Sequence, residues 1–233
     1  MSYFSQNDIT FQQQQQMSAK SQRLAFLRSV YLWLMGGFGV AAVGAFVSFA
    51  TLPAMAPIIS SGQWFMWVLL IAQLGAIFFA QAVSRKKPIN ILAFAIFTLI
   101  SGYVLGLISL IYISTIGISV VLAAAGMTAG DFLLLSAIAF ISKKDFSFLR
   151  NFILAGVGIF FFGGLIAAIF RLELLSLAFA AVAVIACSAK ILYDTSNMLK
   201  TEDFTDPAGF ALSLFVSLYN IFLSILRLLG GRR

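Results

Sequence analysis

The chain has 233 residues, of which 61% are hydrophobic and only 10% are charged, and its formal net charge is +7. A soluble domain is roughly half apolar and roughly a quarter charged, and a chain of this length cannot bury so many apolar side chains in one core. The composition therefore excludes a soluble globular protein and a disordered one. It predicts an all-α integral membrane protein.

The absence of histidine removes most enzyme chemistry. Without His, the chain can form neither a Ser-His-Asp triad, nor a Cys-His pair, nor a His-liganded zinc site. The single cysteine, Cys187, lies in an apolar run, so no disulfide framework exists. We predict no catalytic residue, no metal site and no cofactor.

The first 22 residues differ in kind from the rest. They are polar, contain the run Gln12–Gln16 and show no apolar period. Residues 1–22 are therefore predicted to form a flexible cytoplasmic Gln-rich tail, with a handle for a partner as the alternative. Residues 23–233 are predicted to form the transmembrane domain.

Seven apolar segments follow the tail, each close to the ~20 residues that cross a bilayer. They cover residues 29–51, 63–83, 89–110, 117–141, 149–170, 174–193 and 209–229. No charge separates the third segment from the fourth, so we place that break at the small polar residues of Ser114–Gly117. The sequence therefore predicts a bundle of seven transmembrane helices.

The basic residues predict the orientation, because Lys and Arg are enriched in cytoplasmic loops. Eleven lie on the side of the N-terminus: Lys20, Arg23, Arg28, Arg85, Lys86, Lys87, Lys143, Lys144, Arg150, Lys190 and Lys200. The other four are Arg171, Arg227, Arg232 and Arg233. The N-terminus is thus predicted to be cytoplasmic and the C-terminus outside, whereas six spans would place the C-terminus inside. Basic loops of this kind also explain the net charge without nucleic acid.

Two pairs of glycines form G-x-x-x-G steps on single helix faces. Gly102 and Gly106 lie in the third segment, and Gly126 and Gly130 lie in the fourth. Such steps let helix backbones approach closely in lipid. We predict packing within one bundle at both steps, with a dimer contact as the less favoured alternative.

A polar stripe runs along the seventh segment. Its members recur every three or four residues and fall within one narrow arc of a helix: Ser213, Ser217, Asn220, Ser224 and Arg227. Unsatisfied polar groups cost several kcal/mol in lipid. This helix should therefore be central, with the stripe forming either interhelical hydrogen bonds or the lining of a cavity.

Two acids are expected inside or at the edge of the membrane. Asp131 lies near the middle of the fourth segment, where a carboxylate must be neutral, paired or in a wet cavity. Asp194 lies near the end of the sixth, one turn after Lys190, and an interfacial Lys190–Asp194 pair is the simplest interpretation. A remote alternative is an intramembrane aspartyl protease, although the Gly130-Asp131 element lacks the first glycine of that motif and precedes Tyr193-Asp194.

Three motifs in order resemble the Bax inhibitor-1 family, and most closely its bacterial YccA-like branch. They are Lys143-Lys144-Asp145-Phe146-Ser147-Phe148-Leu149, Tyr193-Asp194-Thr195-Ser196-Asn197 and the ending Ala211-Leu212-Ser213-Leu214 to Gly230, which includes Ser217-Leu218-Tyr219-Asn220-Ile221-Phe222. The similarity covers about residues 23–230, and it implies a seven-helix bundle around a central last helix.

The resemblance also implies two functions. Channel-like members carry a pH-sensitive pair of aspartates over a calcium leak; the first corresponds to Asp194, but Ser217 occupies the second position. The YccA-like branch is associated instead with the membrane AAA protease FtsH, whose activity it restrains. We therefore predict a non-enzymatic modulator of FtsH in the bacterial inner membrane. The alternative is a leak for Ca²⁺ or H⁺ lined by Asp194, Asp131 and the stripe.

Overall fold

The computed structural model describes residues 6–60, 64–142 and 144–231. Over these residues the chain forms seven α-helices and no β-strand. They are α1 (Gln6–Ser60), α2 (Trp64–Val83), α3 (Ile89–Thr115), α4 (Ile118–Ser142), α5 (Leu149–Ile169), α6 (Glu173–Lys200) and α7 (Pro207–Gly230).

The helices confirm an all-helical membrane protein. Six of them are long and apolar enough to cross a bilayer, and in α2 the apolar part that is described, Trp67–Val83, is shorter. The 55 residues of α1 correspond to about 80 Å at 1.5 Å per residue, far more than the ~30 Å of a hydrocarbon core. Since α1 is continuous through residue 22, the helix itself marks no boundary there, and a separate tail over residues 1–22 stays a prediction.

The break between α3 and α4 lies where the sequence predicts it. α3 ends at Thr115 and α4 begins at Ile118. The backbone N–H groups of Ile116 and Gly117 both donate to the carbonyl of Tyr112, at 2.9 and 3.1 Å. Gly117 has φ +117°, a conformation that residues with a Cβ rarely adopt. The glycine thus lets the chain turn back within two residues.

The last helix occupies the centre of the bundle. α7 packs against α1, α2, α3, α4 and α6, whereas α5 packs only against α6. Within its most apolar stretch, 61% of the residues of α7 are buried, against 11% for α4. Its largest fully buried side chains are Leu212, Leu214, Phe215, Ile221 and Leu226. The predicted central position of this helix follows from its being apolar on most faces while carrying a polar stripe that lipid would not solvate.

Glycine allows α1 and α3 to lie in close contact. A methyl group at Gly102 would overlap the main chain of Ala41, and one at Gly44 would overlap the carbonyl of Leu99. Gly106 faces α1 in the same way, against Ser48. The first G-x-x-x-G step therefore packs within the bundle, where backbone proximity and dispersion replace the hydrophobic effect.

The structure differs from our interpretation at the second step. Gly126 and Gly130 are exposed, and a Cβ at either position would meet no atom within 4 Å. They lie on a face of α4 that looks away from α6 and α7. Small residues permit close packing but do not create it. The face of a helix that packs against its neighbours is decided by all the side chains of that helix. For α4 the buried face carries Ala124, Thr128, Ser136 and Ala139 instead.

The two steps provide a matched test of close packing. Gly102→Ala should lower the free energy of unfolding by about 1–3 kcal/mol, since the added methyl must displace the α1 backbone. Gly126→Ala should leave it unchanged or raise it by up to about 1 kcal/mol, because alanine favours the helix and meets no neighbour. Thermal unfolding of both variants in the same detergent measures the difference. Equal effects at the two positions would contradict the described α1–α3 contact.

Candidate functional site

A charged pair lies between α6 and α7. Asp194 is the only charged residue that is buried in the described part of the chain. Its Oδ2 lies 2.6 Å from Nζ of Lys190, one helical turn earlier on the same face of α6. The hydroxyl of Ser213 on α7 donates to the same Oδ2 at 2.7 Å, and Lys190 also donates to the oxygen of Ser213. We refer to Lys190, Asp194 and Ser213 as the α6–α7 polar cluster.

The cluster is internally neutral. The side chain of Asp194 is 9% exposed and that of Lys190 27%, so the pair is more enclosed than the interfacial ion pair expected from the sequence. An isolated charge at such a site is expensive, whereas an ammonium and a carboxylate in contact cancel each other. Removing one partner of a buried pair typically costs about 3–5 kcal/mol, because the other charge stays behind. The cluster therefore fixes α6 to α7.

The next members of the stripe are hydrogen-bonded within their own helix. Ser217 is fully buried, and its hydroxyl donates to the backbone carbonyl of Ser213 at 3.0 Å. Asn220 donates from Nδ2 to the carbonyl of Val216 at 2.8 Å. The hydrogen-bond partner of Asp194 on α7 is thus Ser213, one turn before the Ser217 that the family resemblance indicated.

The stripe becomes more exposed toward the C-terminal end of α7. Ser224 is buried, whereas Arg227 is exposed. Two open apolar grooves of about 340 and 700 Å³ lie on the surface, one between α1 and α3 and the other at the turn before α6, and no stripe residue lines either of them. The stripe is mainly an internal feature of helix packing, and its use as an ion path stays a prediction.

Asp131 has a partner of its own on α6. The hydroxyl of Ser188 donates to Oδ2 of Asp131 at 2.9 Å, and the contact is partly buried. Ser188 and Asp194 are six residues apart, about 9 Å along a helix. The two acids therefore bind different partners, and in the described residues no group of three or more His, Cys, Asp or Glu gathers at one place.

A second polar contact deep in the bundle was not predicted. The hydroxyl of Tyr219 donates to Oε1 of Gln73 at 3.0 Å, and Tyr219 is 7% exposed. This bond joins α2 to α7. The available signal was Gln73 itself, an amide near the middle of an otherwise apolar segment, where a polar side chain needs a partner.

The loops at the end of α6 bind the neighbouring loops. Arg85, between α2 and α3, lies 3.3 Å from a carboxylate oxygen of Asp203 and 3.6 Å from one of Asp206. Lys200, the last residue of α6, lies 3.1 Å from a carboxylate oxygen of Asp145, between α4 and α5.

 The ion pair between Nζ of Lys200 and Oδ1 of Asp145 therefore ties the end of α6 to the α4–α5 loop. Asp206 also accepts from the backbone N–H of Gly209 at 2.8 Å and so caps the first turn of α7.

Two of these loop carboxylates are held in the charged form. The hydroxyl and the backbone N–H of Ser147 donate to Asp145, and together with Lys200 they hold the pKa of that carboxyl at about 2. Thr205 donates in the same two ways to Asp203, which lowers its pKa, and Arg85 adds to this effect. Because both pKa values lie below those of ordinary aspartates, the loop ion pairs stay intact as the pH changes around neutrality.

Comparison with known proteins places this bundle in a family. A family model described as "Inhibitor of apoptosis-promoting Bax1" matches residues 23–233. The chain therefore belongs to the Bax inhibitor-1 family of membrane proteins, as its motifs predict.

Several relatives share most of the chain. "Modulator of FtsH protease YccA" of Escherichia coli K12 is 34% identical over 163 residues, which are 70% of this chain and 74% of that protein. The protein called "Inner membrane protein YccA" in E. coli O6:H1 matches to the same extent. "Bax inhibitor 1" of Schizosaccharomyces pombe is 29% identical over 219 residues, covering 91% of this chain and 78% of the relative.

Proposed function

We propose that this chain is a non-enzymatic modulator of an FtsH-type membrane AAA protease. The observation that supports the proposal is the 34% identity to the E. coli protein named as a modulator of FtsH, over 70% of this chain. A modulator of this kind acts through contact with the protease and needs no catalytic group of its own.

We further propose a bacterial inner-membrane location with seven spans. The name of the relative in E. coli O6:H1 supports the location. The 20 residues of α2 would span about 30 Å, which matches the hydrocarbon core, so α2 is the seventh span beside the six longer helices. With the excess of Lys and Arg on the side of the N-terminus, the N-terminus is cytoplasmic and the C-terminus outside.

Reporter fusions test this topology. A reporter that is active only in the cytoplasm should be active at the N-terminus and silent after Arg233, because an odd number of spans separates the two ends. Two further fusions serve as internal controls. A reporter in the α2–α3 loop should be active, and one in the α3–α4 loop should be silent. Activity at both chain ends would remove one span and overturn the seven-span proposal.

The Gln-rich segment supplies the second test. Deletion of residues 1–22 should leave the unfolding temperature of the bundle nearly unchanged and should abolish retention of FtsH, because this polar segment lies on the side where a cytoplasmic protease domain works. The measurement is a pull-down of FtsH from detergent-solubilised native membranes, with the full chain and the deletion variant compared at equal amounts. A variant with the order of residues 1–22 scrambled controls for length and composition.

Each outcome bears on a different part of the proposal. Failure of the full chain to retain FtsH would contradict the modulator function itself. Equal retention by the deletion variant would contradict only the role of the segment. A large fall in unfolding temperature would show that residues 1–22 pack on the bundle.

A cation leak is the second candidate function. The buried α6–α7 polar cluster favours it, since intramembrane ionisable residues commonly mark ion paths. In the channel-like members, two carboxylates share a proton; here Ser217 replaces one of them, and Lys190 supplies the positive charge beside Asp194. If this chain leaks at all, the leak should therefore depend less on pH than it does in those members.

Ser217→Asp tests the leak directly. It should introduce a second carboxylate one turn from the contact between Asp194 and Ser213, and two carboxylates in a low-dielectric site do not both ionise easily. Calcium flux into liposomes should then become pH-dependent between about pH 5 and 8. Ser217→Asn, of similar size but uncharged, should show no such change, and Asp194→Asn should abolish the gain.

Two results would change the relative standing of the modulator function and the cation leak. If the native chain already leaks with a pH dependence that Asp194→Asn removes, the channel function is favoured over the modulator function. If folded Ser217→Asp gains no pH-dependent flux, then either the two positions do not couple or no ion path exists, and the leak is abandoned.

A further inference from the structure

An open apolar groove runs between α1 and α3. It encloses about 340 Å³, and its walls include Leu32, Trp33 and Gly36 on α1 with Ile91 and Phe94 on α3. Trp33 and Phe94 meet edge to face, with ring centroids 5.3 Å apart. The groove therefore has an apolar lining with an aromatic floor, and it opens toward the surrounding lipid.

Gly36 keeps the groove open. A Cβ at this position would meet no atom within 4 Å. Glycine is thus not required here for close helix packing, in contrast to Gly44 and Gly102 further along the same two helices. A larger side chain at residue 36 would extend into the groove without disturbing the contacts of α1 within the bundle.

Two basic residues border one end of the groove. Arg28 lies one helical turn before Leu32 on α1, and Lys87 lies in the α2–α3 turn, two residues before α3 begins. Both are exposed, and neither forms a salt bridge with an acid in the described residues.

The register of the two helices brings these cations to the same level. α1 and α3 run parallel, with Gly37 facing Phe94 and Ala41 facing Gly102. The facing residues of these two pairs are 57 and 61 positions apart in the chain, and Arg28 and Lys87 are 59 apart, so the two cations lie at a similar level of the bundle. Two uncompensated positive charges therefore lie on either side of the groove at the end where the Lys- and Arg-rich loops emerge from the membrane.

We propose that this groove binds one anionic phospholipid. An acyl chain lies along Trp33, Gly36 and Phe94, and the phosphodiester lies between Arg28 and Lys87. Basic residues at the interface attract anionic headgroups, and an apolar furrow accepts the chain that is attached to such a headgroup. A second protein helix would cover the apolar walls equally well but would leave the two cations without a partner.

Trp33 provides the readout. In a chain with Trp64→Phe and Trp67→Phe, Trp33 is the only tryptophan, since the sequence contains three. The protein is placed in vesicles of equal parts phosphatidylglycerol and phosphatidylcholine, with bromine on the acyl chains of one lipid or the other. Because membrane charge is identical in both samples, any difference in quenching reports which lipid occupies the groove. Bromine on phosphatidylglycerol should quench more, by about twofold or above.

Matched variants separate a site from general lipid contact. Arg28→Gln with Lys87→Gln should bring the quenching ratio of the two lipids to about one, since each cation contributes to headgroup attraction. Lys144→Gln with Arg150→Gln removes the same charge elsewhere at that end and should leave the ratio intact. Gly36→Leu should reduce quenching by both lipids, whereas Gly126→Leu, an exposed site on α4, should not.

Specific results would overturn the proposal. A ratio of about one for the native chain, or a ratio that Arg28→Gln with Lys87→Gln does not change, would overturn it. If the double glutamine variant unfolds by circular dichroism, Arg28→Lys with Lys87→Arg serves in its place. That charge-conserving pair should keep the preference for phosphatidylglycerol, and its loss in the folded protein would equally overturn the site.

Discussion

The contact between Lys190, Asp194 and Ser213 governs the arrangement of the bundle. A carboxylate inside a membrane protein needs a positive charge or hydrogen-bond donors beside it, and Asp194 obtains both, from its own helix and from α7. This fixes α6 against the central helix. α7 in turn contacts every other helix except α5, and α5 is held only through α6. The positions of α6, and of α5 that is held through it, therefore depend in part on a cluster whose charges must remain balanced.

A different principle holds the first half together. α1 and α3 meet through Gly44, Gly102 and Gly106, where the absence of side chains brings the two backbones together. Toward the loop end, the bulky rings of Trp33 and Phe94 lie between the two helices, and the helices leave a groove on their lipid side. The close contact of α1 with α3 and the groove between them thus both result from the change in side-chain size along this pair of helices.

The loops complete the end of the bundle at which α6 finishes. Ion pairs from Arg85 and Lys200 connect three loops, and Phe26 packs against Phe204 and Phe210, with ring centroids 5.4 and 5.7 Å away. Lys200, Phe204 and Phe210 belong to the chain segment that joins the α6 and α7 parts of the α6–α7 polar cluster. A movement of α6 relative to α7 would therefore have to break both the buried cluster and the loop contacts.

The sequence by itself determined the helices, the turn at Ser114–Gly117, the family and the central place of α7, because bilayer thickness sets the length of each span and a polar stripe cannot face lipid. It also identified Lys190 and Asp194 as neighbours, since spacing within one helix is fixed. Only the tertiary structure decided that Asp194 binds Ser213, that Gln73 reaches Tyr219, and that Gly126 and Gly130 face outward. Each of these depends on which face of a helix meets which neighbour, and that is settled by the packing of all seven helices together rather than by any local pattern.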